Sequence, residues 1–417
     1  MIVDLLCDRF NIDGNLRAAA SRAEERMHGV RYEAQEHVRA NVFAAFLDEG
    51  LAESDLHGSY GYGYGDPARR HYESLLARIF GCEAALARLT FASGTHAIVA
   101  SIAACVLPGK ALLSITGKPY DTLRNAIADA PGALARNGMR YRQTEFDEEF
   151  DRNAIEQQLR RDDVAAVFVQ RSRGYAPRRS AAIDRCEPIF AWIKQVRPDV
   201  AILVDNCYGE LVEAREPTHA GADLVMGSLI KNLGGAIAPA GGYVAGRADL
   251  VERVAQRLYA PGLGAALGPT LGFGRELIQG LFLAPMIVEQ ALRGLDFIAA
   301  LFTELGYQVD PQPGERRTDI VQAIRLGEEQ SLQRFAEGLQ SAMPVNARFR
   351  PEPGAVPGYG EPVLMSGGAF ISGSTIELSC DAPLREPYEM YVQGGAIAEH
   401  AMLGGLFAAR ALLRRCA

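Results

Sequence analysis

Residues 201–242, AILVDNCYGELVEAREPTHAGADLVMGSLIKNLGGAIAPAGG, leave few folds open. An apolar, β-prone run (201–204) ends in Asp205. A second run (224–226) leads into Gly227-Ser228-Leu229-Ile230-Lys231-Asn232, and glycines and small residues follow at once. In α/β proteins ligands bind beyond the ends of parallel strands, so an aspartate at one end and a lysine just past the next mark a candidate site.

That pair has a specific chemical reading. Pyridoxal phosphate needs a lysine for covalent attachment and a carboxylate to keep its pyridine nitrogen protonated, roles that Lys231 and Asp205 fit. The plain alternative is a strand-terminal cap and a solvated lysine. Three features favour the former. Ser228, three positions before the lysine, offers a hydroxyl to a phosphate. Gly234 and Gly235 permit close backbone approach. Ser93-Gly94-Thr95 precedes the apolar helical run 98–106, and a helix N-terminus with free N–H groups and hydroxyls suits a phosphate, although an ordinary N-cap is the commoner meaning of such a tripeptide.

Composition narrows the classes of partner. The 417 residues suffice for a large α/β domain and a smaller one. A net charge of -8 argues against nucleic acid as the main partner, and paired arginines such as Arg178-Arg179 and Arg414-Arg415 read as solvated faces. Seven cysteines (7, 82, 105, 186, 207, 380 and 416) form no C-x-x-C, so neither a disulfide framework nor a zinc site is expected. The start, charged from Asp8 and Arg9, does not read as a signal peptide. No apolar run approaches about 18 residues, so no membrane association and a cytoplasmic location are expected.

Organisation follows from periodicity. The segment before about residue 50 reads as helices, with Val38, Val42, Ala45 and Phe46 at helical spacing. His57-Gly58-Ser59-Tyr60-Gly61-Tyr62-Gly63-Tyr64-Gly65-Asp66-Pro67 reads as a flexible loop. Its tyrosines serve either as packing pegs or, with Arg69 and Arg70, as an anion-binding arm. An amphipathic helix over 69–80 closes at Gly81. Buried strands are expected at 111–115 and 164–170. The first runs into Thr116-Gly117-Lys118-Pro119-Tyr120-Asp121-Thr122, where Tyr120 could cover an aromatic cofactor or be one more half-buried tyrosine. Strands alternating with helices such as 184–196 imply βαβ units and a mostly parallel sheet. From 271 to 305 the pattern is helical. The tail mixes strands (320–324, 375–378) with helices (330–343, 395–413). Three parts result: an N-terminal helical segment (1–57), a large α/β domain (58–285) and a small α+β domain (286–417).

Several blocks together resemble a known family: Gly61-Tyr62-Gly63-Tyr64, Tyr120-Asp121-Thr122-Leu123, Gln170-Arg171-Ser172-Arg173-Gly174-Tyr175, Val204-Asp205-Asn206-Cys207-Tyr208-Gly209-Glu210, Ser228-Leu229-Ile230-Lys231-Asn232, Gln279-Gly280-Leu281-Phe282-Leu283-Ala284-Pro285 and Arg385-Glu386-Pro387-Tyr388. From about Arg39 onward the chain is similar to the methionine gamma-lyase-related aluminium resistance family of fold-type I pyridoxal phosphate enzymes, akin to cystathionine lyases. The resemblance implies a homotetramer of two dimers with shared active sites. It gives Lys231 the covalent link and Asp205 the ring nitrogen. Ser93, Gly94, Thr95 and Ser228 would hold the phosphate, and Tyr120 would stack on the ring. Tyr62, Tyr64 and Arg69 would reach the neighbouring subunit's site, and Arg385 would hold the substrate carboxylate. Arg173 is the only other nearby candidate for a substrate carboxylate. Two blocks depart from the family pattern. Gly65-Asp66-Pro67-Ala68 stands where an acidic pair and a glycine are expected before the arginine, and Leu233 follows Asn232 where proline is expected.

The implied activity is β- or γ-elimination on a substituted amino acid, with γ-replacement or transamination as the alternatives. Ser228-x-x-Lys231 also spells a serine-hydrolase motif, but its S-D-N and K-T-G partners are absent and the motif follows a strand. Gly262-x-Gly264 lacks the preceding strand and the spacing of a dinucleotide fingerprint.

Overall fold

The computed structural model describes residues 2–147 and 149–414; Arg415 and Cys416 lie outside the described residues. The chain forms two compact units, one of residues 34–285 and the other of residues 1–33 with 286–417. The N-terminal segment expected as a separate part (1–57) is therefore divided: α1 (Ile2–Phe10) and α2 (Gly14–Met27) belong with the C-terminal segment, and α3 (Glu33–Glu49) lies almost wholly in the larger unit. The division has a packing cause on each side. Arg22 and Arg26 both pair with Glu304, and Gln35, fully buried, donates to the carbonyls of Leu211 and Val212.

In the larger unit, α4 (Pro67–Phe80) starts on a proline, which needs no intrahelical acceptor, and ends at Gly81 in a left-handed turn (φ 60°). A Cβ there would lie 2.4 Å from the His219 ring nitrogen. Next come β1 (Ala84–Arg88), α5 (Gly94–Cys105), β2 (Ala111–Ser114), β3 (Arg140–Gln143), α6 (Arg152–Leu159), β4 (Val164–Gln170), α7 (Ile183–Val196), β5 (Ala201–Asp205), β6 (Leu224–Ser228), β7 (Gly242–Gly246), α8 (Ala248–Leu258) and α9 (Gly274–Glu304), whose residues up to 285 belong to this unit.

One seven-stranded sheet runs β1-β7-β6-β5-β4-β2-β3. Strands β3, β2, β4, β5 and β6 pair in parallel, and β7 lies antiparallel between β6 and β1. The central strands are almost wholly buried, which explains why they read as continuous apolar runs and not as alternating ones. Phe168, Leu203, Leu224, Met226 and Val244 join Ile98 and Ile102 of α5 in the core. The register sets Gln170 beside Asp205 at the carboxyl ends of β4 and β5.

The other unit holds an antiparallel sheet, β8 (Gln308–Asp310), β9 (Val321–Arg325), β10 (Val363–Gly367), β11 (Ser379–Pro383) and β12 (Glu389–Gln393), in the order β8-β9-β12-β11-β10. Helices α10 (Glu329–Gln340) and α11 (Ala398–Leu413) pack together beside it. The strand expected at 375–378 is a turn. Thr375 and Glu377 donate their N–H groups locally, to the Gly373 and Ser374 carbonyls, and the strand begins at Ser379.

Candidate active site

The site grows from the carboxyl ends of β2, β4, β5 and β6, where Tyr120, Gln170, Asp205, Ser228 and Lys231 follow one another across the sheet. Asp205 is the last residue of β5 and 3% exposed. Its Oδ1 accepts the Cys207 N–H at 3.1 Å. Burial raises its pKa, and the charge of Lys231 pulls the other way, so the ion rests on that partner. Lys231 is half-buried and opens the turn after β6. Burial works against its charge, but Cys207, Tyr208, Asp205 and Tyr120 around it outweigh the burial and raise its pKa.

The turn itself is positioned by glycine. A Cβ on Gly235 (φ 53°) would lie 2.3 Å from the Gly280 carbonyl oxygen, and one on Gly280 would lie 2.4 Å from the Gly234 oxygen. The turn after the lysine thus presses backbone to backbone on α9. Asn232, fully buried, donates its Nδ2 to the carbonyls of Tyr208 at 3.1 Å and Glu210 at 2.8 Å.

Ser93 caps α5, its hydroxyl accepting the His96 N–H at 3.1 Å. The N–H groups of Gly94 and Thr95 have no intrahelical acceptor, as at any helix start. A Cβ on Gly94 would stand 3.1 Å from the Ser228 Cβ and 3.3 Å from the Cys207 Sγ. The helix start therefore lies directly against the end of β6. The Thr95 and Tyr120 hydroxyls bond at 2.7 Å, and the Tyr120 N–H donates to Gln170 Oε1 at 2.8 Å. Burial and the nearby Asp205 charge raise the Tyr120 pKa well above that of a free phenol, so it stays a proton carrier.

Ser93, Gly94, Thr95, Tyr120, Asp205, Ser228 and Lys231 are thus brought to one end of one sheet. The donor set of a helix N-terminus, hydroxyls, one carboxylate and one amine fits an aromatic aldehyde bearing a phosphate. Arg173 is 3% exposed, and the next residue, Gly174, would set a Cβ 3.3 Å from the Tyr120 Cβ.

The glycine–tyrosine arm differs from its expectation. It is braced: Asp66 accepts from Ser59, Arg69 and Thr270, and a Cβ on Gly63 would lie 2.4 Å from the Pro269 nitrogen. Within its own chain Arg69 is already engaged. Arg69 is 5% exposed, and its guanidinium donates to the Gly63, Gly268 and Ala266 carbonyls of its own chain. Tyr62 and Tyr64, by contrast, are 76% and 61% exposed. Arg385 belongs to the other unit, on the loop between β11 and β12, with Glu361 at 3.6 Å. Sequence reasoning assigned no role to Cys207 or Tyr208. Their place directly after a strand-terminal aspartate was the available signal.

A mostly parallel sheet with lysine and aspartate beyond its carboxyl ends defines the fold-type I class. The pyridoxal-5'-phosphate dependent protein YhfS of Escherichia coli shares that fold, with a TM-score of 0.61 and 20% identity over 91% of this chain and 95% of that one. The chain belongs to the methionine gamma-lyase family, whose profile matches residues 15–413. It is similar to the structure of a carbon-sulfur lyase involved in aluminum resistance from Clostridium novyi NT, with a TM-score of 0.92 and 38% identity over 97% of this chain and 98% of that one. It is also 37% identical, over 92% of its length and 93% of the relative's, to the uncharacterized protein YnbB of Bacillus subtilis (strain 168). Among the described residues no helix is long and apolar enough to cross a membrane.

Proposed function

We propose that this protein is a pyridoxal phosphate-dependent carbon–sulfur lyase, or a lyase for another carbon–heteroatom bond, that eliminates the β- or γ-substituent of an amino acid. The observation that carries the reading is the convergence of Lys231, Asp205, Ser228 and the α5 N-terminus on one end of the sheet. The cofactor, when bound, supplies an electron sink beside the substrate's α-carbon. Ser93, Gly94, Thr95 and Ser228 would hold its phosphate, Lys231 its aldehyde carbon and Asp205 its ring nitrogen, with Tyr120 over the ring.

The chain's own groups then manage protons. Lys231 would take the α-proton and return it as needed. For γ-elimination Lys231, having given up the first proton, would also accept a second from the β-carbon before the substituent departs. Tyr120, protonated at neutral pH and steadied by Thr95, gives its proton to the leaving thiolate. Arg385 would fix the substrate carboxylate and so choose which α-bond breaks. The protein works in the cytoplasm on a small amino acid, with no nucleic acid or membrane partner. It assembles as a homotetramer of two dimers, which the exposed Tyr62 and Tyr64 support.

The test is incubation of the cofactor-loaded protein with a panel of β- and γ-substituted amino acids, assaying ammonia and 2-oxo acids. Catalytic release of both is expected. Retention of the amino group on the cofactor, discharged only by an added 2-oxo acid, would make the protein an aminotransferase. Exchange of the γ-substituent without ammonia would make it a replacement synthase.

A further inference from the structure

Beneath the lysine turn lies a polar cluster that the chemistry above does not use. Glu210 is fully buried. Its Oε1 accepts the Tyr243 hydroxyl at 3.1 Å, while Oε2 is buried without a hydrogen-bond partner. The groups facing it are Tyr243 from β7, Tyr72 from α4, Cys207 and Glu216 from the segment after β5, and Lys231. Tyr72 is also buried, its hydroxyl unpartnered. Arg171, the buried arginine of this region, is committed to Glu213 and Asn206. An ionised Glu210 would therefore be a desolvated charge that the Tyr243 phenol, its own backbone N–H and the nearby Lys231 offset only in part, an arrangement that burial penalises.

The same carboxyl packs closely on the strand. A Cβ on Gly227, one residue before Ser228, would stand 2.6 Å from Glu210 Oε1 and 2.9 Å from the Tyr243 hydroxyl oxygen. The glycine lets the Glu210–Tyr243 pair lie flat against β6. From that anchored residue the main-chain carbonyl accepts Asn232 Nδ2, and Asn232 is the next residue after Lys231.

We propose that Glu210 is a neutral, protonated carboxyl that acts as a positioning residue: wedged between Gly227 and Tyr243, it fixes the carbonyl that holds Asn232 and so sets the place of Lys231. Being uncharged, it leaves Asp205 to act as the anion for the site. Burial raises its acid pKa to about 8, against the opposing pull of its own backbone N–H and of Lys231. A carboxyl whose folded pKa lies above its unfolded value of 4.5 stabilises the fold fully below that value and loses the contribution as pH rises through about 8.

The inference rests on Lys231 as the reactive lysine, but its protonation arm does not depend on catalysis. Infrared difference spectra of cofactor-free wild type against Glu210→Gln near neutral pH should show the carbonyl stretch of a protonated acid, lost in the variant. Glu210→Gln should fold and should lack the wild type's fall in melting midpoint between about pH 4.5 and 8. For positioning, the readout is the rate at which Lys231 captures added pyridoxal phosphate. Glu210→Gln should match wild type. Glu210→Asp should be slower by about tenfold or more, since a shift of about 1 Å at a reacting group can cost 10²-fold. If the aspartate variant does not fold, Tyr243→Phe, which releases Oε1, takes its place with the same expectation. A carboxylate spectrum in place of the acid band, a glutamine variant that does not fold, or unchanged capture in the aspartate or phenylalanine variant would overturn the proposal. Failure of wild type to take up pyridoxal phosphate would instead strike the cofactor assignment, leaving the infrared result to decide Glu210.

Discussion

Lys231 stands over the face of Tyr208, its Nζ 3.6 Å from the ring centroid. The ring reaches that position because Tyr208 adopts a left-handed backbone (φ 72°) three residues after the strand. A cation over an aromatic face gains about 0.5–2 kcal/mol, depending on desolvation. Tyr208→Phe keeps the face and should leave cofactor capture near the wild-type rate. Tyr208→Ala removes it and lowers the lysine pKa, so the optimum for capture should move to lower pH. A pH profile of pyridoxal phosphate uptake by the cofactor-free protein checks this.

Lys231 and Asp205 should fail differently. Lys231→Ala removes the proton carrier and should lower kcat by about 10²–10⁴-fold. Asp205→Asn keeps the shape and the Cys207 contact but not the charge, and should cost about 10²–10³-fold in kcat. Borohydride treatment followed by peptide mapping should find the cofactor on Lys231 in Asp205→Asn and nowhere in Lys231→Ala.

The fold was legible where the hydrophobic period was unambiguous. Buried parallel strands show as unbroken apolar runs, and 164–170 corresponds residue for residue to β4. The strand expected at 375–378 is only a short alternation, Thr-Ile-Glu-Leu, and local turn bonds from Thr375 and Glu377 prevail there. At the site, Asp205, Ser228 and Lys231 were legible because each needs only its place at a strand end. The own-chain contacts of Arg69 were not, since its guanidinium turns back on three carbonyls, two of them in a loop almost 200 residues away, which no local spacing reveals. Tyr208 escaped for a related reason, a single positive φ redirecting its ring.

Asp66 should hold the arm's shape. Burial alone would raise its pKa, but hydrogen bonds from Ser59, Arg69 and Thr270 hold it down at about 2, below its ordinary 3.8. Its stabilisation is therefore present above pH 3.8 and lost as pH falls toward 2. Asp66→Asn should cost about 3 kcal/mol near neutral pH, given the usual worth of hydrogen bonds to a charged group. Melting curves of the two proteins should converge as the medium is acidified through that window.

Assembly can be tested through the exposed tyrosines. If Tyr62 and Tyr64 serve a neighbouring site, chains carrying Tyr64→Ala mixed with chains carrying Lys231→Ala should regain activity in hybrid dimers, because one of the two sites is then built from intact parts. Verified hybrids without any recovery would confine the arm to its own subunit.

Arg385→Ala should raise KM for the amino acid by about 10–100-fold, the loss expected of a charge-assisted bidentate pair. Arg385→Lys should recover part of that loss, since a point charge replaces a fork. Steady-state kinetics on the best substrate of the panel checks both.

The backbone seam between Gly234-Gly235 and Gly280 bears on how freely this protein can be altered. Residues that touch a substrate can be varied with only local effect, and a library could explore them broadly. At the seam, however, even a methyl group on either strand of the contact would have to displace main chain, and the piece displaced carries Lys231. Substitutions there should abolish cofactor capture irrespective of substrate. Attempts to retune specificity should therefore leave these glycines alone.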